Sequence, residues 1–221
     1  MAPFHPRVED LPGEFPVFPL AGALLLPRGK LPLRIFEPRY KAMTEDSLAL
    51  GRVFGMIQPD PTIPESETGP GLFRIGCLGR ISSFSETEEG HFLITLTGLI
   101  RFAVADEIAM RNGYRRIRAD FAPYHADLDL ASRPTGMARE PLLAALRGFF
   151  AQRSIDANWD TIKRLSDDAL VITLAMVCPF EPAEKQALLE APGDAEREAA
   201  LLALLQMGAL SQDPPGGHSV S

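Results

Sequence analysis

Hydrophobic residues in the first half of the chain come in short bursts that prolines and glycines interrupt. Within the burst at 31–36, Leu31, Leu33 and Ile35 alternate with Arg34 and Phe36, which places the two sets on opposite faces of a strand. Further bursts predict strands at 52–57, 72–84, 92–97, 99–108 and 114–121, with an acidic hairpin turn at 86–90. The pattern predicts a mostly antiparallel β-rich domain over residues 14–122.

A charged turn follows the strand at 31–36. Proline is favoured in the first turn of a helix and an acidic residue there complements the free N–H groups, so we expect a helix at 38–49. The turn's expected role is structural: an arginine–carboxylate pair fixes the strand-to-helix geometry. The residues of this motif are Arg34, Glu37, Pro38, Arg39 and Tyr40.

Beyond residues 123–137, which we interpret as a linker, the hydrophobic period changes from 2 to 3.6. One helical stripe comprises Leu142, Leu143, Leu146, Phe149 and Phe150, and a second comprises Leu170, Val171, Leu174, Val177 and Cys178. Between them Asp156 is expected to cap a short helix. We predict a small helical bundle at 138–210, and a flexible tail at each end of the chain, at 1–13 and 211–221. A β-rich domain followed by a helical bundle makes the predicted fold class α+β.

Three blocks of the chain resemble one family. LPLRIFEPRY at 31–40, RIGCLGRI at 74–81 and FLITLTGLIRF at 92–102 are similar to the N-terminal substrate-binding domain of Lon-type ATP-dependent proteases, which also occurs as stand-alone proteins and within cereblon. The resemblance implies that the β-rich part is a PUA-like pseudo-barrel. It also implies a non-catalytic protein- or peptide-binding module connected with protein quality control, here in a stand-alone form without ATPase or protease modules.

Composition narrows the choice of partners and compartment. The 221 residues are 46% hydrophobic and 23% charged, with a formal charge of -7, which disfavours nucleic acid as a partner. We expect Cys77 and Cys178 to be reduced, buried thiols. There is no signal-peptide pattern, and no apolar run reaches the roughly 18–20 residues needed to span a bilayer. We therefore expect a cytoplasmic protein that does not engage membranes.

The sequence contains no recognisable motif for catalysis, metal binding or cofactor binding. Six residues separate Gly22 from Gly29, and Leu31 follows Lys30 where a phosphate-binding loop needs serine or threonine, so ordinary turns are expected instead. The four histidines, His5, His91, His125 and His218, lack metal-ligand spacing. We expect no enzymatic activity, no cofactor and no metal site.

The resemblance directs attention to apolar residues near turns. We expect Phe36, Met43, Met56 and Phe84 to line a partly exposed groove that adapts to apolar segments of unfolded polypeptides. A specific protein partner and cooperation with a separate ATP-dependent protease stay open at this point. An alternative is RNA binding through the strand at 111–118, whose arginines and tyrosine suit phosphate contact and base stacking.

Overall fold

The computed structural model describes residues 7–129 and 139–210. The strands are β1 (Glu14–Pro19), β2 (Lys30–Ile35), β3 (Val53–Ile57), β4 (Ile75–Glu86), β5 (Phe92–Arg111) and β6 (Tyr114–Asp120). The α-helices are α1 (Pro38–Ala49), α2 (Arg139–Gln152), α3 (Trp159–Arg164), α4 (Asp167–Val177), α5 (Pro182–Glu190) and α6 (Asp194–Leu210). Short 3-10 helices cover Val8–Asp10 and Ala122–Leu128. The α+β class is confirmed. The predicted tail at 211–221, the first six residues of the predicted tail at 1–13 and the second half of the linker lie outside the described residues.

The strands form a mixed six-stranded sheet in the order β2-β5-β4-β3-β1-β6. Because β6 also pairs with β5, the five strands β5-β4-β3-β1-β6 close into a barrel, and β2 is added outside it along the first half of β5. The β1–β3 pair is parallel and the other pairs are antiparallel. The barrel that the resemblance implied is therefore present, although two predicted strands at 92–108 are in fact one.

β5 continues through Gly98 because β4 pairs with it on both sides of this residue. Gly98, which separates the two predicted strands, sits under the backbone of Leu26, and a Cβ added to Gly98 would overlap the Leu26 carbonyl oxygen. Glycine therefore lets the segment 24–26 cross directly over the strand. Register shifts in β4, between Leu78 and Gly79 and between Ile81 and Ser83, accommodate the bend of this long hairpin.

Helices and barrel share one apolar cluster. Leu24–Leu26 and Ile35 from the β-rich part belong to the same buried cluster as Leu146, Phe149 and Leu170 from the helices. Most of the predicted stripes are buried as expected, but Val177, the last residue of α4, is 64% exposed. The prediction of a buried Val177 is wrong because the helix ends there, at the margin of a groove. The division into two domains stays a prediction.

Polar side chains also join the helices to the barrel, in what we call the sheet–helix interface (Gln58, Arg101, Asp127, Lys185 and Gln186). Arg101 of β5 is buried and forms a double hydrogen bond with Asp127, Nε–Oδ2 and Nη2–Oδ1 both at 2.9 Å. Its Nη1 donates to the carbonyl oxygens of Leu189 and Ala191 at the end of α5. Gln58 Nε2 donates to Gln186 Oε1 (3.1 Å), and Lys185 Nζ donates to the Gly22 carbonyl (2.7 Å).

Candidate functional site

The four predicted groove residues do not form one surface. Phe36 and Phe84 are 60% and 42% exposed, whereas Met43 and Met56 are buried in the core. Met43 lies on the face of α1 that packs inward together with Tyr40, and Met56 lies in β3 between β1 and β4. The expectation that these two methionines line an exposed groove is therefore corrected, because neither side chain reaches solvent in this structure.

The two exposed phenylalanines lie near the β4–β5 hairpin but on different faces of it. Phe36 follows β2 and packs edge-on to the ring of His91, with 6.0 Å between ring centroids. Phe84 pairs with Ile94 in the sheet and contacts the ring of Phe92 at 5.1 Å, which places it on the face that continues into the core. The hairpin end thus carries aromatic side chains on both faces.

The predicted structural motif separates into two pairs. Glu37 and Arg39 interact with each other at the start of α1 (Arg39 Nη2–Glu37 Oε2, 2.9 Å), where Pro38 occupies the first turn. Arg34 reaches across the sheet instead, to Glu89 (2.9 Å) and to His91 Nδ1. The expected cluster of Arg34 with Glu37 is corrected: alternation along β2 directs Arg34 over the neighbouring hairpin turn. Tyr40 is buried, with the Arg39 guanidinium 4.5 Å from its ring centroid.

A groove that the sequence did not predict lies beside the start of β2. It has a volume of about 610 Å³ and runs between residues 28–30 and helix α4, where Ile172, Met176 and Val177 supply apolar lining. Gly29 permits this close approach, since a Cβ there would overlap Met176 and come within 3.2 Å of Ile172. Two features of the sequence are consistent with a groove here: the glycine before β2 and the apolar residues at the end of the α4 stripe.

The turns around Gly22 and Gly29 are ordinary, as predicted. Gly22 has a positive φ of 72°, and the amide of Gly29 donates to the carbonyl of Leu26 (2.9 Å) as in a β-turn. The groove beside Gly29 therefore owes its shape to α4 rather than to a phosphate-binding loop.

Arginines of the strand proposed for RNA are already paired with carboxylates. The pairs are Arg111–Asp46 (3.3 Å), Arg115–Glu107 (Nε–Oε2, 3.0 Å), Arg116–Glu14 (3.7 Å) and Arg118–Glu14 (2.9 Å). Arg115 is buried as well and donates to the carbonyl of Pro70. Phosphate binding here would have to break several of these pairs.

Neither cysteine is placed to act as a nucleophile. Cys77 and Cys178 are free and buried, as predicted. Burial raises the pKa of both thiols, that of Cys178 to about 12, so each stays protonated at neutral pH. Within the described ranges no cluster of three or more His, Cys, Asp or Glu side chains could hold a metal ion. His5 and His218 lie outside those ranges.

Comparison with known families decides the relationship. A model of the ATP-dependent protease La (LON) substrate-binding domain matches residues 14–207. The chain belongs to this Lon substrate-binding family. The match includes both the barrel and the helices, so the groove beside β2 lies entirely within the family domain.

Curated members of the Lon family match only part of their length. Lon protease 2 of Myxococcus xanthus is 27% identical over 112 residues, 51% of this chain and 13% of that protein. Protein cereblon of Danio rerio is 28% identical over 131 residues, 56% of this chain and 29% of that protein. The chain therefore spans less than a third of the length of either relative.

Solved Lon domains share the fold. The Lon N-terminal domain protein from Xanthomonas campestris has a TM-score of 0.57 and 24% identity, covering 86% of this chain and 97% of that one. The N-terminal domain of Mycobacterium avium complex Lon protease has a TM-score of 0.58 and 18% identity, covering 87% and 97%. In the parts of this chain that the structure describes, no helix is both long and apolar enough to cross a membrane.

Proposed function

We propose that this domain binds protein substrates through segments of unfolded, partly apolar polypeptide, and that it does so without catalysis of its own. The observation that carries the proposal is the match to the Lon substrate-binding domain over residues 14–207. The exposed apolar side chains at the hairpin end and the groove along α4 give such segments places to bind.

The physical driving force is removal of apolar surface from water. Phe36 offers an aromatic ring that is largely exposed, and the groove of about 610 Å³ offers Ile172, Met176 and Val177. Burial contributes roughly 25 cal/mol per Å² of apolar surface, so a few such contacts give the modest affinity suited to reversible capture. Met176 adds a flexible thioether that adapts to different side chains.

A non-catalytic role is consistent with the chemistry of the chain. Both thiols are held protonated by burial, and Arg34 donates hydrogen bonds to Glu89 and to His91 at the surface. Because each arginine at 111–118 has a carboxylate partner, we do not carry the RNA-binding alternative further.

The setting we propose is protein quality control. The relative from Myxococcus xanthus is named a protease, and a substrate-binding domain of the same family would present bound polypeptide to an ATP-dependent protease. Crosslinking in native lysate followed by mass spectrometry tests this partnership. Recovery of an ATP-dependent protease supports it, and its absence among crosslinked proteins contradicts it.

Binding itself is tested with a labelled probe in two states. Reduced, carboxamidomethylated lysozyme and native lysozyme carry nearly the same charge but differ in exposed apolar surface. Fluorescence anisotropy with the full 221-residue chain at physiological salt should show tighter binding of the reduced form. Equal affinity for both forms, or no binding of either, would contradict the proposal.

A further inference from the structure

The outer edge of β2 is the feature of this molecule with the most unused hydrogen-bonding capacity. β2 pairs with β5 on one side, from Lys30 opposite Thr97 to Ile35 opposite Phe92. On its other side, the described residues supply no neighbouring strand. An edge of this kind is a template for another extended chain.

The pairing pattern identifies which backbone groups point outward. Gly29 and Gly98 are opposite each other in the same register, and the Gly98 amide donates to the Gly29 carbonyl (2.9 Å). Bonded and non-bonded pairs alternate in an antiparallel ladder, so Leu31, Leu33 and Ile35 bond to β5. The intervening residues, Lys30, Pro32 and Arg34, direct their backbone groups away from β5.

The outward groups therefore comprise two N–H donors, from Lys30 and Arg34, and three carbonyl acceptors. Pro32 has no N–H, and it occupies a position where none is needed for the ladder with β5. The side chains of these three residues are exposed, so solvent reaches this edge. Such a row of alternating donors and acceptors is complementary to an extended peptide backbone.

Apolar sites lie at both ends of this edge. The groove with Ile172, Met176 and Val177 adjoins Lys30, and Phe36 follows the last residue of β2. Six strand residues span roughly 20 Å, at about 3.3 Å per residue. An added strand would thus place side chains near the groove at one end and near the Phe36 ring at the other.

The charge of Lys30 also indicates which kind of segment fits the edge of β2. Lys30 is exposed and has no acidic partner in residues 7–129 or 139–210, whereas Arg28 beside it is paired with Asp168 and Asp194. A carboxylate on the incoming segment would find its partner at Lys30. The edge therefore fits an extended segment that combines apolar residues with an acidic one.

We propose that the outer edge of β2 receives an extended segment of the bound polypeptide as an added strand. The inference rests on the proposed function and specifies how and where the polypeptide binds. Pro32 limits the pairing to two donors, which keeps binding reversible and hinders edge-to-edge association of two copies of this chain.

Proline substitution at Arg34 tests the outward donor directly. Arg34→Pro removes the outward N–H together with the Arg34 side chain, and Arg34→Ala removes the side chain alone. One net hydrogen bond is worth about 0.5–1.5 kcal/mol, so we expect Arg34→Pro to bind reduced, carboxamidomethylated lysozyme about 3- to 10-fold more weakly than Arg34→Ala. Circular dichroism and the thermal midpoint verify that both variants fold.

The reverse change supplies a donor. Pro32→Ala adds a third outward N–H, and we expect about 3- to 10-fold tighter binding of the same probe. Sedimentation velocity without probe detects self-association. Dimerisation of Pro32→Ala without tighter probe binding would assign the edge to a second copy of the chain and overturn the proposal.

The remaining outcomes distinguish a failure of the added-strand inference from a failure of the proposed function. If the wild type binds the reduced probe but Arg34→Pro equals Arg34→Ala and Pro32→Ala equals wild type, the added-strand inference fails and the proposed function stands. If the wild type does not bind the reduced probe, both fail.

Discussion

Polar groups at the sheet–helix interface are paired within the protein, whereas backbone groups at the outer edge of β2 are not paired with another strand in the described part of the chain. At the interface, the guanidinium of Arg101 is buried and donates to Asp127 and to the carbonyls of Leu189 and Ala191. At the edge, Lys30, Pro32 and Arg34 are exposed, and the alternation of the ladder directs their backbone groups away from β5. Both regions belong to β2, β5 and the elements next to them, so position in the fold rather than composition separates them.

The difference shows which part of the surface is available to a partner. Buried polar groups must be paired, since an unpaired one costs about 1–3 kcal/mol, and the interface meets that requirement internally. Solvent satisfies the edge of β2, and a partner can replace solvent at little cost. We therefore expect substitutions at the interface to change stability, and those at the edge to change binding.

The largest expected effect comes from Arg101. Arg101→Met removes the guanidinium from the Asp127 carboxylate and from two carbonyls, and only the backbone amide of residue 101 still donates to the carboxylate. Losing one member of a buried pair costs about 3–5 kcal/mol in the free energy of unfolding. Urea denaturation measures this loss in the free energy of unfolding. The control Arg118→Met removes exposed pairs with Glu14 and Asp106 and should cost less than about 1 kcal/mol. Equal losses would erase the contrast between buried and exposed pairs.

A second substitution tests the close crossing of segment 24–26 over β5. Gly98→Ala forces a Cβ into the carbonyl of Leu26, and overpacking of this kind costs about 1–3 kcal/mol. Gly13→Ala is a matched control because a Cβ there meets nothing within 4 Å. A variant at Gly98 as stable as the control would show that the crossing at 24–26 does not press on β5.

Tyr114 is a second buried polar group that needs a partner, and it lies between α1 and β6. Its hydroxyl donates to Asp46 Oδ2 (2.7 Å), and burial together with this bond raises the pKa of Tyr114 to about 12. Because the pKa in the folded state lies above the unfolded value, the stabilisation is complete below about pH 10 and is lost as the pH rises through about 12.

Denaturation at several alkaline pH values checks this prediction. Tyr114→Phe should lose about 1–2 kcal/mol at neutral pH, and its decline in stability above about pH 10 should be smaller than that of the wild type. The buried thiols of Cys77 and Cys178, whose pKa values are also raised, contribute to the decline that remains. Parallel pH profiles for wild type and variant would mean that another group governs alkaline unfolding.

The smallest expected effect concerns the exposed surface. Phe36→Ser should leave the urea midpoint unchanged and weaken binding of reduced lysozyme about 3- to 10-fold, because it removes a ring that a bound segment would cover. Leu50→Ser is the matched control: Leu50 is 67% exposed but lies at the other end of α1, roughly 18 Å along the helix axis. Equal weakening by both would indicate nonspecific apolar binding.

Local patterns predicted much of this fold. The turn before α1 combines Glu37 and Pro38 in positions typical of a helix start, and α1 has the predicted bounds Pro38–Ala49. The stripe from Leu142 to Phe150 follows the helical period and is buried as expected. In both cases the residues that determine the helix are close together in the sequence.

Tertiary contacts account for what the patterns missed. Met56 is buried because both faces of β3 are covered: Met56 belongs to the cluster shared with the helices, and the next residue, Ile57, belongs to the other apolar cluster. Alternation along a single strand carries no information about what covers its faces. The cap predicted at Asp156 is instead Asn158, whose side chain accepts from Thr161 N (3.0 Å). Arg115 is buried against Glu107, a residue that only the β5–β6 hairpin brings near it.

The site was predictable in part for the same reason. Alternation exposed Phe36, but the groove depends on α4 packing beside Gly29, a contact between residues more than 140 positions apart. The free edge of β2 likewise follows from the strand order and from which residues of β2 bond to β5. Neither is encoded in any short motif.

Hydrogen exchange followed by NMR tests the central claim most directly, because it observes both regions at once. On saturation with reduced, carboxamidomethylated lysozyme, the amides of Lys30 and Arg34 should become protected, while Leu31 and Leu33, already bonded to β5, should change little. The amides around Arg101 and Gln186 should also be unaffected. Unchanged exchange at Lys30 and Arg34, with new protection confined to the helices, would contradict the account.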